Sequence, residues 1–354
     1  FSKNKRTVKI NNSKIKKTFA SYNLVKTMRA GILVLGPLIS KYGSATVSMP
    51  GGCQIGVRPI NYHLSGLKKL KMNYEIKRGY VYANAKRIVG SVIKFPKISV
   101  GATENLIMAS TLASGKTILK NCAIEPEIKD LINFLKTGGA KIKWIGKRTL
   151  EIYGVKSLDS TTYSVMGDRI EAGTFCIASA LTQGDLYVNG LNPKIINTEI
   201  NLLKKIGAKI KTKKNQIIIK GPKKIKNLSL IATKEYPGFA TDLQAQFMVL
   251  LCKAKGRSVI EENIFENRYS HCAELRRLGA SIIVKSKKAI IYGGTDFEGA
   301  ELMSSDLRAS VALVLAAIAS KGKSIIHRIY HLSRGYENLD KKLKKIGVNI
   351  KKIR

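Results

Sequence analysis

The chain is poor in the residues that build metal sites and disulfide frameworks. Its 354 residues include only five cysteines and four histidines. The cysteines (Cys53, Cys122, Cys176, Cys252 and Cys272) lack any CxxC spacing and the histidines are scattered, so neither a metal site nor a cofactor is written in the sequence. An odd set of dispersed thiols fits a reducing compartment, and a cytoplasmic location is expected. The longest apolar run, Ala309 to Ala319, is too short to span a bilayer, so no membrane association is expected. No charged-then-apolar signal segment opens the chain. It begins at Phe1 rather than Met, which implies processing or a missing N-terminal segment.

Acidic residues are scarce too: 23 Asp and Glu face 63 Lys and Arg, for a net charge of +40. One reading is a protein that binds nucleic acid or another anionic surface. The other is compositional, with Lys spread over solvated strand faces. Lys alternates with Ile, as in Lys209-Ile210-Lys211, and no concentrated Arg and aromatic stripe is present. No specific nucleic-acid partner is therefore expected, although so positive a field would draw in any polyanionic substrate.

What the chain does have is a repeat. Leu70-Lys71-Met72, Gly138-Gly139-Ala140, Ile206-Gly207-Ala208, Leu278-Gly279-Ala280 and Ile346-Gly347-Val348 each join a helical pattern to a strand-like one, at intervals of about 70 residues. A second series, Gly43, Gly115, Gly184, Gly256 and Gly322, ends apolar helical segments with the same period. Each unit reads as helix, Gly stop, strand, loop, helix, Gly stop, strand, turn, strand. The first helix (Ile170–Leu181, Leu243–Cys252, Leu307–Ala319) is apolar on all sides and must be buried. The second (Ile128–Leu135, Glu199–Ile206) has one wet face. Glycine is expected to supply the left-handed stop after each, and pairs such as Lys141–Trp144 with Thr149–Ile152 should form hairpins. The predicted fold is α/β: two inverted barrels with buried helices inside and sheets outside. Five copies are visible. Arg6–Ile10 resembles the last strand of a sixth whose front is missing. Six units group as three and three, which places the domains at 1–167 and 168–354.

The stretch Ser48–Pro59 interrupts the first copy. Gly51, Gly52, Gly56, Pro50 and Pro59 rule out a helix interior or a central strand. It carries Cys53 and Arg58. A thiol beside a guanidinium can ionise readily and hold an anion; a glycine-rich turn with an incidental thiol is the plainer reading. Asn23, Asp168, Asp242 and Asp306 all stand where buried helices should begin, where capping is the default role.

These segments resemble one family. Pro50-Gly51-Gly52-Cys53 with Arg58-Pro59, Ser99-Val100-Gly101-Ala102-Thr103, Asp168-Arg169-Ile170-Glu171, Thr241-Asp242-Leu243-Gln244, Phe265-Glu266-Asn267-Arg268, Ser305-Asp306-Leu307-Arg308 and Arg334-Gly335-Tyr336-Glu337 occur in the order and spacing of the UDP-N-acetylglucosamine 1-carboxyvinyltransferases. The likeness covers essentially the whole chain. It implies transfer of the enolpyruvyl group of phosphoenolpyruvate to the 3-hydroxyl of UDP-N-acetylglucosamine, in the cleft between two barrels, without a cofactor. The sister enzymes that use shikimate 3-phosphate share the fold but lack the cysteine loop.

The resemblance implies roles residue by residue. Cys53 would be the proton donor and the target of fosfomycin, and Asp242 the carboxylate at the sugar 3-hydroxyl. Arg29, Arg58 and Arg334 would meet anionic groups of the ligands; taken without the family, surface salt bridges are the simpler reading for all three. Arg58, Pro59, Ile60, Asn61 and Tyr62 would hold the uridine end, with Asn61 and Tyr62 departing from the family's common Asp-Leu. Lys97, Ser99, Val100 and Gly101 would receive the diphosphate at a helix start, and Ile264 would lie against the sugar nucleotide. Arg268 and Arg308 match charged cleft positions with no assigned role, while Asp306 and Glu125 are expected to be structural. The family's N-terminal Lys-Asn pair, whose Lys contacts phosphoenolpyruvate, would precede Phe1. A chain without it is expected to be impaired.

Overall fold

Helices with no wet face set the architecture. A computed structural model describes residues 2–4, 6–13, 15, 17–26, 28–50 and 60–353, with backbone alone at residues 2–4 and 29. Residue contacts divide the chain into two units, one running to Ser164 and one from Val165 to Arg354. In the second unit the helices Arg169–Thr182, Gln244–Lys253 and Leu307–Ile318 pack against one another. Every residue from Gln244 to Cys252 is buried, as is every residue from Ala309 to Ala316. In the first unit Leu35–Tyr42 packs on Val100–Ser110 in the same manner.

Each buried helix is followed by a strand and an amphipathic helix, and in every copy but the last by a hairpin. In the second copy these are Lys116–Lys120, Pro126–Thr137, and Lys141–Gly146 with Thr149–Tyr153. The hairpin pairs Leu150 with Trp144 and Ile152 with Ile142. An entry strand, Val92–Lys94, runs parallel to Lys116–Lys120, so the buried helix is the crossover of a parallel pair. The Lys-Ile alternation behaves as expected: Lys209, Lys211 and Lys213 are exposed, while Ile217 and Ile219 of the paired strand are buried.

The amphipathic helices all end alike. Backbone N–H groups of Gly139 and Ala140 donate to Lys136 and Leu135 carbonyls, those of Gly207 and Ala208 to Lys204 and Leu203, and those of Gly279 and Ala280 to Arg276 and Leu275. Gly347 and Val348 repeat the pattern. So do Lys71 and Met72, and Lys71 is left-handed at φ 71° although it is not glycine.

Three expectations need correction. Of the glycines expected to stop the apolar helices, Gly43 is itself the left-handed cap, but Arg169–Thr182 ends on left-handed Gln183, with the Gly184 N–H returning to Ser179, and Thr111, Ala254 and Ala319 close the other three helices ahead of Gly115, Gly256 and Gly322. Residues 348–350 form no strand; Val348 and Ile350 pack on the cluster around Tyr336 instead. Asn23 does not begin a buried helix. It is exposed inside the short helix Tyr22–Val25, and the first copy enters Leu35–Tyr42 through the 3-10 segment Arg29–Val34.

Lys71 is exposed, so replacing it by glycine removes little packing and relieves the left-handed strain. Lys71→Gly is expected to stabilise the protein by about 1 kcal/mol, raising the melting temperature by roughly 2 °C. Gly207→Ala, at φ 106° and with the added carbon 3.2 Å from Pro222 Cβ, should cost about 1–3 kcal/mol. Thermal melts of the two variants check the motif, and a destabilised Lys71→Gly protein would contradict it.

Candidate active site

The starts of the buried helices carry polar groups with different employment. Asp168 and Asp306 are caps. Asp168 Oδ1 accepts from the N–H groups of Ile170 (2.8 Å) and Glu171 (3.1 Å), and Asp306 Oδ1 from those of Arg308 (2.9 Å) and Ala309 (3.1 Å). Asp242 sits in a single 3-10 turn, Thr241–Leu243, ahead of Gln244–Lys253, and no side-chain hydrogen bond caps that turn or that helix. Its carboxylate faces two guanidiniums: Oδ1 lies 2.5 Å from Arg268 Nη2, and Oδ2 lies 2.9 Å from Arg308 Nη2.

The clamp is buried behind and open in front. The Arg268 side chain is 3% exposed and that of Arg308 15%, while Asp242 keeps 37%. Arg268 also donates to the Thr241 carbonyl at 3.3 Å and lies over the Phe265 ring. Arg308 lies over Tyr336 and donates to its hydroxyl at 3.4 Å. That hydroxyl is 2.8 Å from Thr174 Oγ1, and Gln246 Nε2 donates to Thr174 Oγ1 (3.3 Å) and to the Asp242 carbonyl (3.0 Å). One polar chain thus crosses all three buried helices of the unit. Burial works against the Arg308 charge, but Asp242 and Tyr336 outweigh it and hold the guanidinium more firmly protonated than usual.

Arg334 ends the 3-10 segment Ile329–Arg334, two residues before Tyr336; it is exposed and has no ion-pair partner among the described residues. Ile264 is half-buried, and its N–H donates to Glu262. In the first unit, Ile60 is buried and leads into the helix Asn61–Lys69, with Asn61 exposed and Tyr62 half-buried. Lys97 is exposed in a bend, Ser99 caps Val100–Ser110 by accepting from Ala102 N–H, and Val100 and Gly101 form its first turn.

Two unforeseen residues join these segments. Asn105 accepts from Gly36 N–H at 2.8 Å, which makes its Nδ2 the donor to Ile32 carbonyl and to His63 Nδ1, the latter at 3.0 Å. His63 in turn lies against Gly101, where an added Cβ would meet its ring at 3.3 Å. The 60–62 and 99–101 segments are therefore neighbours, with His63 between them. Cys53, Arg58 and Pro59 lie outside the described residues, as does the side chain of Arg29.

His271, one turn beyond Arg268, is buried, and its Nε2 has no partner among the described residues. Burial lowers its pKa to about 4; Asp306 favours the charged form, and Arg268 opposes it. The unfolded chain takes up this proton near pH 6.5, whereas the folded protein resists until about pH 4. Stability is thus complete above pH 6.5 and lost as pH falls through that window, by roughly 3 kcal/mol in all. His271→Met should flatten that slope in denaturant titrations between pH 7 and 4, and an unchanged slope would contradict the assignment.

Comparison with known proteins follows the same lines. Residues 1–343 match the family model described as EPSP synthase (3-phosphoshikimate 1-carboxyvinyltransferase). The UDP-N-acetylglucosamine 1-carboxyvinyltransferase of Pelagibacter ubique (strain HTCC1062) is 63% identical over 99% of this chain and 84% of its own length. That of Geotalea daltonii is 49% identical over 99% and 84%. Among solved structures, the enolpyruvyl transferase NikO from Streptomyces tendae superposes with a TM-score of 0.84 at 24% identity, over 95% of this chain and 80% of its own. An EPSP synthase from Acinetobacter baumannii gives 0.69 at 18% identity, over 91% and 78%. The two structures share the fold, and the relatives close in sequence narrow the assignment: the chain belongs to the EPSP synthase family of enolpyruvyl transferases, among its UDP-N-acetylglucosamine 1-carboxyvinyltransferases.

Proposed function

We propose that this chain transfers the enolpyruvyl group of phosphoenolpyruvate to the 3-hydroxyl of UDP-N-acetylglucosamine and releases phosphate, the first committed step of peptidoglycan precursor synthesis, in the cytoplasm. The observation that carries the reading is Asp242. Of the acidic residues at buried-helix starts in the second unit, it is the one gripped by two guanidiniums instead of capping a helix. A carboxylate held at its back and exposed at its front suits a base for a sugar hydroxyl.

The chemistry is addition followed by elimination. Protonation at C3 of the enol leaves C2 electrophilic. The sugar 3-hydroxyl adds to C2 and gives its proton to Asp242. C3 then returns a proton as the C2–O bond to phosphate breaks. Arg268, Arg308 and Arg334 supply positive charge suited to the carboxylate and phosphate of the donor, and Arg29 and Arg58 are assigned to the same anions. Ile60, Asn61, Tyr62, Lys97, Ser99, Val100, Gly101 and Ile264 are assigned to the UDP-sugar.

Cys53 is assigned the acid. Supporting this, the four described cysteines are buried and unsuited to the task. Burial pushes Cys122, Cys176 and Cys272 up to about 12, and Cys252 further. Thiols so shifted neither exchange protons near neutrality nor react readily.

Phosphate release should require both substrates, and UDP-N-acetylglucosamine should be accepted where shikimate 3-phosphate is not. Asp242→Asn is expected to lower kcat by about 10²–10⁴-fold. Cys53→Ala should abolish turnover, whereas Cys53→Asp should retain turnover and escape fosfomycin alkylation. Turnover with shikimate 3-phosphate, or a fully active Cys53→Ala protein that fosfomycin still inhibits, would refute the assignment.

A further inference from the structure

One buried carboxylate connects the loop that carries Ile264 to the turn that carries Asp242. Glu262 directly follows the strand Gly256–Glu261 and is 2% exposed. Its Oε1 accepts from the N–H groups of Ile264 (2.9 Å) and Phe265 (3.1 Å), which folds the loop back over the end of the strand. A turn of this kind needs only one oxygen. The other, Oε2, points away from the loop and accepts the Thr241 hydroxyl at 2.9 Å, next to Asp242. From the far end of the same loop, Arg268 returns to the Thr241 carbonyl and the Asp242 carboxylate. Residues 262–268 thus grip the Thr241-Asp242 turn at both ends. An acid buried this deeply is costly unless its oxygens are occupied, and all three of these bonds fall on backbone or side chain flanking proposed substrate contacts.

We propose that Glu262 is a positioning residue that locks the base Asp242 and the sugar-nucleotide contact Ile264 into one register, so that the bound acceptor hydroxyl meets the carboxylate. This rests on the function proposed above. Glu262 touches no reacting atom; it acts through Thr241 and through the loop. Glutamine is nearly isosteric, keeps a carbonyl for the two N–H groups and offers an amide to the Thr241 oxygen, so it can stand in for the acid.

Steady-state kinetics with both substrates, on variants of the full chain, test the idea. Glu262→Ala should lower kcat by about 10–100-fold, the scale of a misplaced reactive group. It should also raise the KM for UDP-N-acetylglucosamine while leaving that for phosphoenolpyruvate unchanged. Thr241→Val cuts only the link to the turn, so kcat should fall with the acceptor KM intact, and the double variant should be no slower than Glu262→Ala alone. Glu262→Gln should recover most of the lost kcat. Rates are normalised to folded protein from melting curves taken in parallel. The proposal fails if normalised kcat of Glu262→Ala equals wild type, if both KM values rise together, if the two substitutions multiply in the double variant, or if glutamine is as slow as alanine. A wild-type protein that releases no phosphate with UDP-N-acetylglucosamine would refute the function itself and this inference with it; active wild type beside unaffected variants would refute the inference alone.

Discussion

A helix that is apolar on every side cannot lie at a surface, and the rest of this fold follows from enclosing such helices. Gln244–Cys252 offers water no face at all, so the elements around it must cover the full circumference. The copies of the repeat supply the cover: a strand, parallel to an entry strand in four of them, then a hairpin in all but the last, with the amphipathic helix beside them. Chain reversal after the amphipathic helices calls for left-handed residues, and Gly139, Gly207, Gly279 and Gly347 sit where that conformation is required. Lys71 shows that the geometry is imposed by the fold, since it is adopted there by a residue other than glycine.

Enclosure also decides where polar chemistry can lie. Along the buried helices an unpaired charge would be prohibitive, so charged groups gather at the helix starts. There, backbone N–H groups and neighbouring side chains can satisfy them. Of Asp168, Asp242 and Asp306, which stand at the starts of the buried helices of the second unit, the first and last are used up as caps. Asp242 is relieved of that duty by two guanidiniums; the Thr174–Gln246–Tyr336 chain supports Arg308, and the Thr241 carbonyl holds Arg268. The same protein that excludes water from Arg268 leaves the front of Asp242 open.

Much of the fold was legible in advance for a local reason. The period of about 70 residues, the wholly apolar helices, the hairpins and the left-handed stops are properties of short stretches, each written in residues close together in the chain. The misreadings arose where a neighbour elsewhere in the fold decides. The Gly184 stop moved to Gln183, residues 348–350 packed on the Tyr336 cluster instead of forming a strand, and Asn23 fell outside the buried helix. His63 and Asn105 escaped notice because nothing local distinguishes a histidine that orders a glycine turn from one in a core. Their traces in the sequence are two glycines, Gly36 against Asn105 and Gly101 against His63, which a side chain would crowd.

The sequence by itself determined the repeat, the class of fold and, through segments matched in order, the family with its enolpyruvyl chemistry. Only tertiary structure decided what each acid at a helix start does. A cap bonds to N–H groups two and three residues ahead, so every such acid looks alike when read along the chain. The partners that distinguish Asp242 are Arg268 and Arg308, 26 and 66 residues away. Charges that far apart in sequence can compensate one another only when the packing of buried helices has brought them together and removed the water that would otherwise have served.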